Sequence, residues 1–203
     1  MKVTLADDNL ISLFLSQLST FGWKGSYDVS VADKNKLTIH SESIMTLNDY
    51  LNKNINKINK NMSYDNVEQM ILYLGNQMII MAENNKGILF FRQSCDDIII
   101  LDNEFCFISD LTHVVPINNK EQLTLNYPLK IEGFTSPELE NVTSLPVNVS
   151  ITSSYYSLAL LCVKCLGLGL VGLDLGMIKN TRMYFFLKRC LETEPDKRFF
   201  LYL

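Results

Sequence analysis

The sequence predicts an α+β fold, and three observations carry that prediction. Apolar residues recur at helical spacing, most plainly at Val67, Met70, Ile71, Leu74, Met78 and Met81. Short apolar or alternating runs joined by turn residues, at 27–39 and 98–108, read as two β-hairpins. With 47% hydrophobic and 10% aromatic residues in a chain of 203, there is enough apolar surface for a real core.

The elements follow in order. Asp7 or Asp8 caps a first helix whose apolar face is Leu10, Ile11, Phe14, Leu15, Leu18 and Phe21, with Gly22 as its stop. Tyr27, Val29 and Val31, a polar turn at 33–36, then Leu37 and Ile39 make the first hairpin. Thr46 and Asp49 have capping-box spacing ahead of Leu47, Tyr50 and Leu51, and a polar stretch at 52–61 reads as a helix end and loop. Ser63 opens the longest helix and Gly87 ends it; its methionines, at helical spacing, read as core. Ile98–Leu101 and Phe105–Ile108, turned at Asn103, form the second hairpin. Residues 111–135 show little periodicity, and so long a connection is usually functional or a remnant of function. Ser153–Leu166 is apolar almost all round, which predicts a central, buried helix. The last helix spans about Thr181–Leu191, with Pro195 beyond it.

Charge and composition exclude several functions. The net charge is −4 and the basic residues are scattered along the chain, so nucleic acid is not expected as a partner. The start has one lysine followed by acids, which does not make a secretory signal. The longest apolar stretch, Leu158–Leu173, is interrupted by Lys164 and by glycines and is too short to span a bilayer, so no membrane insertion is expected and the protein reads as intracellular. The sequons at Asn61, Asn141 and Asn148 then read as chance matches. Five cysteines, an odd number, argue for reduced thiols. Cys162 and Cys165 form a lone C-x-x-C with no second pair, and the two histidines, His40 and His113, lie far apart, so core packing is expected rather than metal. Gly167, Gly169 and Gly172 spell G-x-G-x-x-G, but a phosphate loop needs a strand before it and a helix after it. Here the glycines follow an apolar helix, and they read as its unwinding C-terminus.

Three stretches carry a family resemblance. Residues 133–142, GFTSPELENV, hold Ser136, Pro137 and Glu138 in the manner of an A-P-E motif. Residues 153–161, SSYYSLALL, look like the start of a central helix of the S-D-x-W/Y-S-L-G type, with Ser154 at the aspartate position. Residues 185–200, FFLKRCLETEPDKRFF, place Glu194, Pro195 and Arg198 like a D-P-x-x-R turn. Their order and spacing resemble the large lobe of a eukaryotic-type protein kinase, similar in style to the kinase-like proteins of large DNA viruses. The resemblance implies a mostly helical large lobe at 46–203 and a truncated small lobe at 1–45. In that small lobe the first helix looks like helix C and the first hairpin like strands 4 and 5. Thr46 onward looks like the segment after the hinge, and 63–86 like helix E.

The resemblance also implies which chemistry is missing. Only a few residues precede the first helix, leaving no room for strands 1 to 3, so the Gly-rich loop and the strand-3 lysine are expected to be absent. If Asp97 stands at the metal-binding asparagine of the catalytic loop, the base position falls on Arg92, which cannot accept a proton near neutral pH. The D-F-G position falls on Ser109, Asp110 and Leu111; a one-residue slip would put Asp110 in the metal slot. The stretch between helices F and H is short, and five residues follow Arg198, so helices G and I are reduced. The implied protein is a pseudokinase without nucleotide, metal or other cofactor. It would bind another protein as a scaffold, regulator or virion component, in the host cytoplasm or the particle. Two alternatives stand beside it: a divergent active Ser/Thr kinase using Asp97 and Asp110 for metal, and an unrelated α+β structural protein. The resemblance further implies an ion pair between Glu138 and Arg198.

Overall fold

The computed structural model describes residues 2–4, 8–29, 36–53, 61–88, 95–108, 114–118, 120–127, 134–169 and 172–201. The chain begins with strand β1 (Lys2–Thr4), helix α1 (Asp8–Thr20) and the antiparallel strands β2 (Ser26–Val29) and β3 (Lys36–His40). β3 is central, pairing Leu37 with both Val3 of β1 and Val29 of β2, and Ile39 with Tyr27. Sequence reasoning leaves no strand ahead of α1; β1 is a correction. Three residues carry no period of their own, and only the edge that β3 offers makes them a strand. α1 stops where expected. Gly22 takes φ +74, and the amides of Gly22 and Trp23 reach back to the carbonyls of Ser19 and Leu18, both at 3.0 Å. This closing pair is a Schellman motif, which needs a left-handed residue that glycine supplies without Cβ strain. Asp7, Val31 and most of the first turn lie outside the described residues.

Strand β4 (Ile44–Thr46) leads directly into α2 (Leu47–Lys53), and Thr46 Oγ1 caps it by accepting the Asp49 amide at 3.0 Å. Residues 54–60 lie outside the described set. Ser63 then caps α3 (Tyr64–Glu83), accepting the Asn66 amide at 3.2 Å, and all six residues of the expected stripe are buried. The helix ends earlier than Gly87. Asn84 and Asn85 close it, with Asn85 at φ +54, a position asparagine tolerates better than most residues. Gly87 instead sits in β5 (Lys86–Ile88), where a Cβ would come within 2.1 Å of the Leu123 side chain. Its smallness serves a close approach, not a helix stop.

The second hairpin, β6 (Ile98–Leu101) and β7 (Phe105–Ile108), pairs Ile98 with Ile108 and Leu101 with Phe105. Its turn residues Asp102 and Asn103 both take left-handed φ. β4 adds to β6 on the far side, giving the order β4-β6-β7. The boundary expected between 45 and 46 falls inside β4. Gln77 on α3 is fully buried and grips β7: its Oε1 accepts the Ile108 amide at 2.8 Å and its Nε2 donates to the Ile108 carbonyl at 3.1 Å. A side-chain amide thus satisfies both backbone groups of a strand end inside the core.

The connection after β7 is more ordered than its lack of periodicity suggests. It holds β8 (Val114–Pro116), paired with β5, and β9 (Gln122–Leu125), paired with β10 (Val147–Ser150). The short helix α4 (Pro137–Glu140) lies between β9 and β10. These elements bury a small core of their own, Val115, Leu123, Leu125, Leu139 and Val149. Strands of three and four residues, whose partners are more than twenty residues away in sequence, leave no local signal to read.

Helices α5 (Thr152–Cys165) and α6 (Arg182–Cys190) complete the fold, with 3-10 turns at Gly176–Ile178 and Pro195–Lys197. α5 is central as expected: Leu158, Ala159, Leu161, Cys162 and Val163 are fully buried, while Tyr155, Tyr156 and Leu160 are half-buried. The main core joins α1, β3, α3, β6, β7, α5 and α6 in one cluster. Asp102 strengthens that junction by accepting from Trp23 Nε1, Ser41 Oγ and the Ser43 amide. Burial alone would raise its carboxyl, but these donors outweigh burial and hold it below the ordinary range. Among the described residues, no helix is long and apolar enough to cross a membrane.

Candidate functional site

Two segments far apart in sequence meet around one guanidinium. Glu138 is the second residue of α4, a helix opened by Pro137, whose missing amide proton costs nothing at that position. Ser136 precedes it, buried, with its carbonyl accepting the amides of Leu139 and Glu140. Arg198 follows the 3-10 turn after α6, its amide bonded to the Pro195 carbonyl at 3.1 Å. The same carbonyl accepts Thr152 Oγ1 at 3.1 Å, which ties the turn to the start of α5.

The side chains then lock. Arg198 Nη1 and Nη2 donate to Glu138 Oε1 and Oε2 at 2.6 and 2.8 Å, a two-pronged contact of guanidinium and carboxylate. Arg198 Nε donates to the Glu192 carbonyl at 2.6 Å and Nη2 to the Thr193 carbonyl at 2.8 Å, so four of the five guanidinium N–H groups are engaged. Ser153 Oγ donates to Glu138 Oε1 at 2.6 Å, and the Tyr156 ring lies 4.7 Å from the guanidinium carbon. The Arg198 side chain is fully buried and that of Glu138 is 21% exposed. Burial pushes the Glu138 carboxyl up, but Arg198 and Ser153 push it down further, and it lies below the usual range. A carboxylate so engaged has no basicity to offer a substrate. What the arrangement does is latch the 134–141 segment onto α5 and the turn after α6.

The latch contains what the sequence named and more. Glu138 and Arg198 meet as expected, with Ser136 and Pro137 shaping the turn that presents Glu138. Ser154, singled out for its place in the motif, is buried and its amide bonds the Ile151 carbonyl; the serine that reaches Glu138 is its neighbour Ser153. Ser153 and Tyr156 are three residues apart, on one side of α5. A serine in the first turn of an otherwise apolar helix was the signal available for it.

Of the implied catalytic positions, only Asp97 lies among the described residues. Arg92, Ser109 and Asp110 lie outside the described residues, as does His113. Asp97 is half-buried just ahead of β6, two residues from Cys95. Burial raises the Cys95 thiol, and Lys164 opposes that rise. Among the described residues no three His, Cys, Asp or Glu side chains converge to hold a metal ion. All five cysteines are free and buried. Burial raises the thiols of Cys106, Cys162 and Cys165, and pushes Cys190 up to about 12. Cys162 and Cys165 thus sit in the core of α5 in a protonated, unreactive form.

The Gly-rich stretch is a helix terminus. The amides of Gly167 and Leu168 bond the carbonyls of Lys164 and Val163, both at 3.0 Å, with Gly167 at φ +69. It is the Schellman closure of α1 repeated on α5. Among the described residues, the next helical element is the three-residue 3-10 turn at 176–178, not an α-helix whose first amides could cradle phosphate. A scan of protein-family models finds no match to this chain, and a search of curated proteins finds none.

Proposed function

We propose that the chain is a catalytically inactive, kinase-like protein that acts by binding another protein, as a scaffold, regulator or virion component. The reading adds to the α+β architecture a finer claim: residues 46–203 are a kinase-like large lobe and 1–45 belong to a small lobe. The observation that supports it is the two-pronged contact between Glu138 and Arg198. In kinases the glutamate of the A-P-E motif reaches the arginine after helix H and pins the activation segment. Here the S-P-E and E-P-x-x-R segments carry that contact, while the base position of the same resemblance carries Arg92. Phosphoryl transfer rests on positioning and charge stabilisation, and an arginine at the base position cannot accept the substrate's proton near neutral pH.

The test is calorimetric titration of the full chain with ATP and Mg²⁺, alongside transfer of radiolabelled phosphate to itself and to a generic basic protein substrate. The expected result is no saturable heat and no label above a no-enzyme control. Micromolar, Mg²⁺-dependent ATP binding with label incorporation would replace this reading with the active-kinase alternative. Loss of that binding in Asp97→Asn or Asp110→Asn variants would locate its metal site.

A further inference from the structure

A cavity of about 150 Å³ opens beside the strip of chain that follows α6, and neither Glu138 nor Arg198 lines it. α3 supplies one side through Met78, Ile79 and Ala82, and the start of α5 supplies another through Ile151 and Tyr155. Phe200 forms the remaining wall, and its ring is held on three sides. The Tyr155 ring lies 5.5 Å from it and the Phe186 ring 5.6 Å, centroid to centroid. Gly75 of α3 is the third neighbour, where a Cβ would collide with the Phe200 ring. Two packed helices and a ring fixed in this way keep the space open, so a ligand entering it meets walls that are already formed.

The mouth of the cavity is negative. Among the described residues that line it, Glu83 is the one charged side chain, and its exposure places it at the rim. Glu83 is also the last residue of α3, where the helix end carries partial negative charge and the last turn holds no base. A second acid is close by. Glu121 is exposed and its carbonyl accepts the Ile151 amide at 3.2 Å. Burial, then Cys190 and Glu121, push the Tyr155 phenol up. Lys86 precedes the cavity-lining Gly87 on β5, and strand alternation puts it on the opposite face.

We infer that this cavity is a binding site for a small organic ammonium, its aromatic or branched aliphatic body enclosed between α3, α5 and Phe200 and its positive end at Glu83. A cavity of about this volume in apolar surroundings holds one benzene-sized body. Enclosing that body removes its apolar surface from water. The ammonium stays at the solvent edge, where it keeps part of its hydration and meets both Glu83 and the negative end of α3. A carboxylate of the same shape would bring like charges together there, and a neutral ligand would leave Glu83 without a role. The inference does not rest on the kinase-like reading, and nucleotide titration does not bear on it.

The test is an NMR titration of the isotope-labelled full chain with benzylamine, benzyl alcohol and benzoate, ligands of one size that are positive, neutral and negative at neutral pH. The amide signals of Gly75, Gly87 and Ser154, which line the cavity, should shift and saturate. Benzylamine is expected to bind about fivefold more tightly than benzyl alcohol, and benzoate more weakly than both. Glu83→Gln should bring benzylamine down to the affinity of benzyl alcohol and leave benzyl alcohol unchanged. Ala82→Leu fills the cavity and should abolish all three responses. Should that variant fail to fold, Ile79→Trp closes the cavity from a position that is 46% exposed and should do the same. The absence of a saturable shift, equal affinity for the three ligands, a preference for benzoate, or responses that survive the filling variant would overturn the inference. A lysine capped as an amide at both ends carries the same charge on a peptide. If it binds more tightly than benzylamine, the occupant is a partner protein's side chain and the small-molecule assignment falls.

Discussion

Removing Arg198 from the latch should expose how much of the fold depends on it. Arg198→Met keeps an unbranched side chain but deletes four hydrogen bonds and the guanidinium's contact with Tyr156. It leaves Glu138 with Ser153 as its remaining side-chain donor within 2.6 Å. Glu138→Gln leaves a fully buried guanidinium facing a neutral amide. Breaking one partner of a buried pair costs about 3–5 kcal/mol, because the survivor is an uncompensated charge. The two variants should not be equal. Glu138 is 21% exposed, so water relieves its orphaned carboxylate, whereas no water reaches Arg198. Arg198→Met is therefore expected near the lower end of that range and Glu138→Gln near the upper. The double variant should cost less than the sum, with a coupling of about 1–3 kcal/mol in urea melts.

Acid titration gives a second readout of the latch. The folded carboxyl is depressed, so its stabilisation is complete above its ordinary value of 4.5 and is lost as pH falls through the lowered native value. In Arg198→Met that acid-side loss should shrink or reverse, since burial alone raises the carboxyl. Coupling within error of zero, together with an unchanged acid slope, would refute the assignment of the latch as a stabilising element.

Three further outcomes are expected. Leu161→Ala, at a fully buried site on α5, should lose about 2–5 kcal/mol in denaturant melts; a loss below about 1 kcal/mol would mean α5 is not central. Gln77→Leu should cost about 1–3 kcal/mol by stranding the Ile108 amide and carbonyl, and amide exchange at Ile108 should quicken more than at Ile98. The five buried thiols should resist a disulfide reagent at mildly alkaline pH and react together on unfolding; fast labelling of any one in the native protein would contradict their burial.

Legibility followed the range of the signal. α3 and α5 announce themselves within a single segment, α3 by the one face it buries and α5 by being apolar almost all round, so a signal within twenty residues is enough. The β6–β7 hairpin is equally local, its partners lying four to ten residues apart. β1, β4, β8, β9 and β10 escape sequence reasoning for one reason: each is three or four residues long and pairs with something distant. Gly87 misleads because a glycine after a helix has two explanations, and only the position of Leu123 decides between them. At the site, Glu138 and Arg198 are legible through motif resemblance. The carbonyls of Glu192 and Thr193 are not, since a backbone acceptor leaves no mark on residue identity.

The latch and the strip of chain beyond it act as one structural unit. A carboxylate that takes both prongs of a guanidinium and a serine hydroxyl is fully occupied in holding segments together. The turn it secures begins directly after α6, and Phe199, next to Arg198, is the residue against which Arg189 rests. Phe200, one further on, packs on Phe186 of α6 and fills the space above Gly75 of α3. The buried ion pair thus anchors the strip of chain that packs between α3 and α6. Ion pairs of this kind are weak sources of net stability, since desolvation offsets most of the attraction. Their directional geometry fixes how the segments meet, because a two-pronged contact is made in one relative orientation. The pair's contribution to this fold is therefore positional: it sets where the 134–141 segment, the start of α5 and the turn after α6 meet.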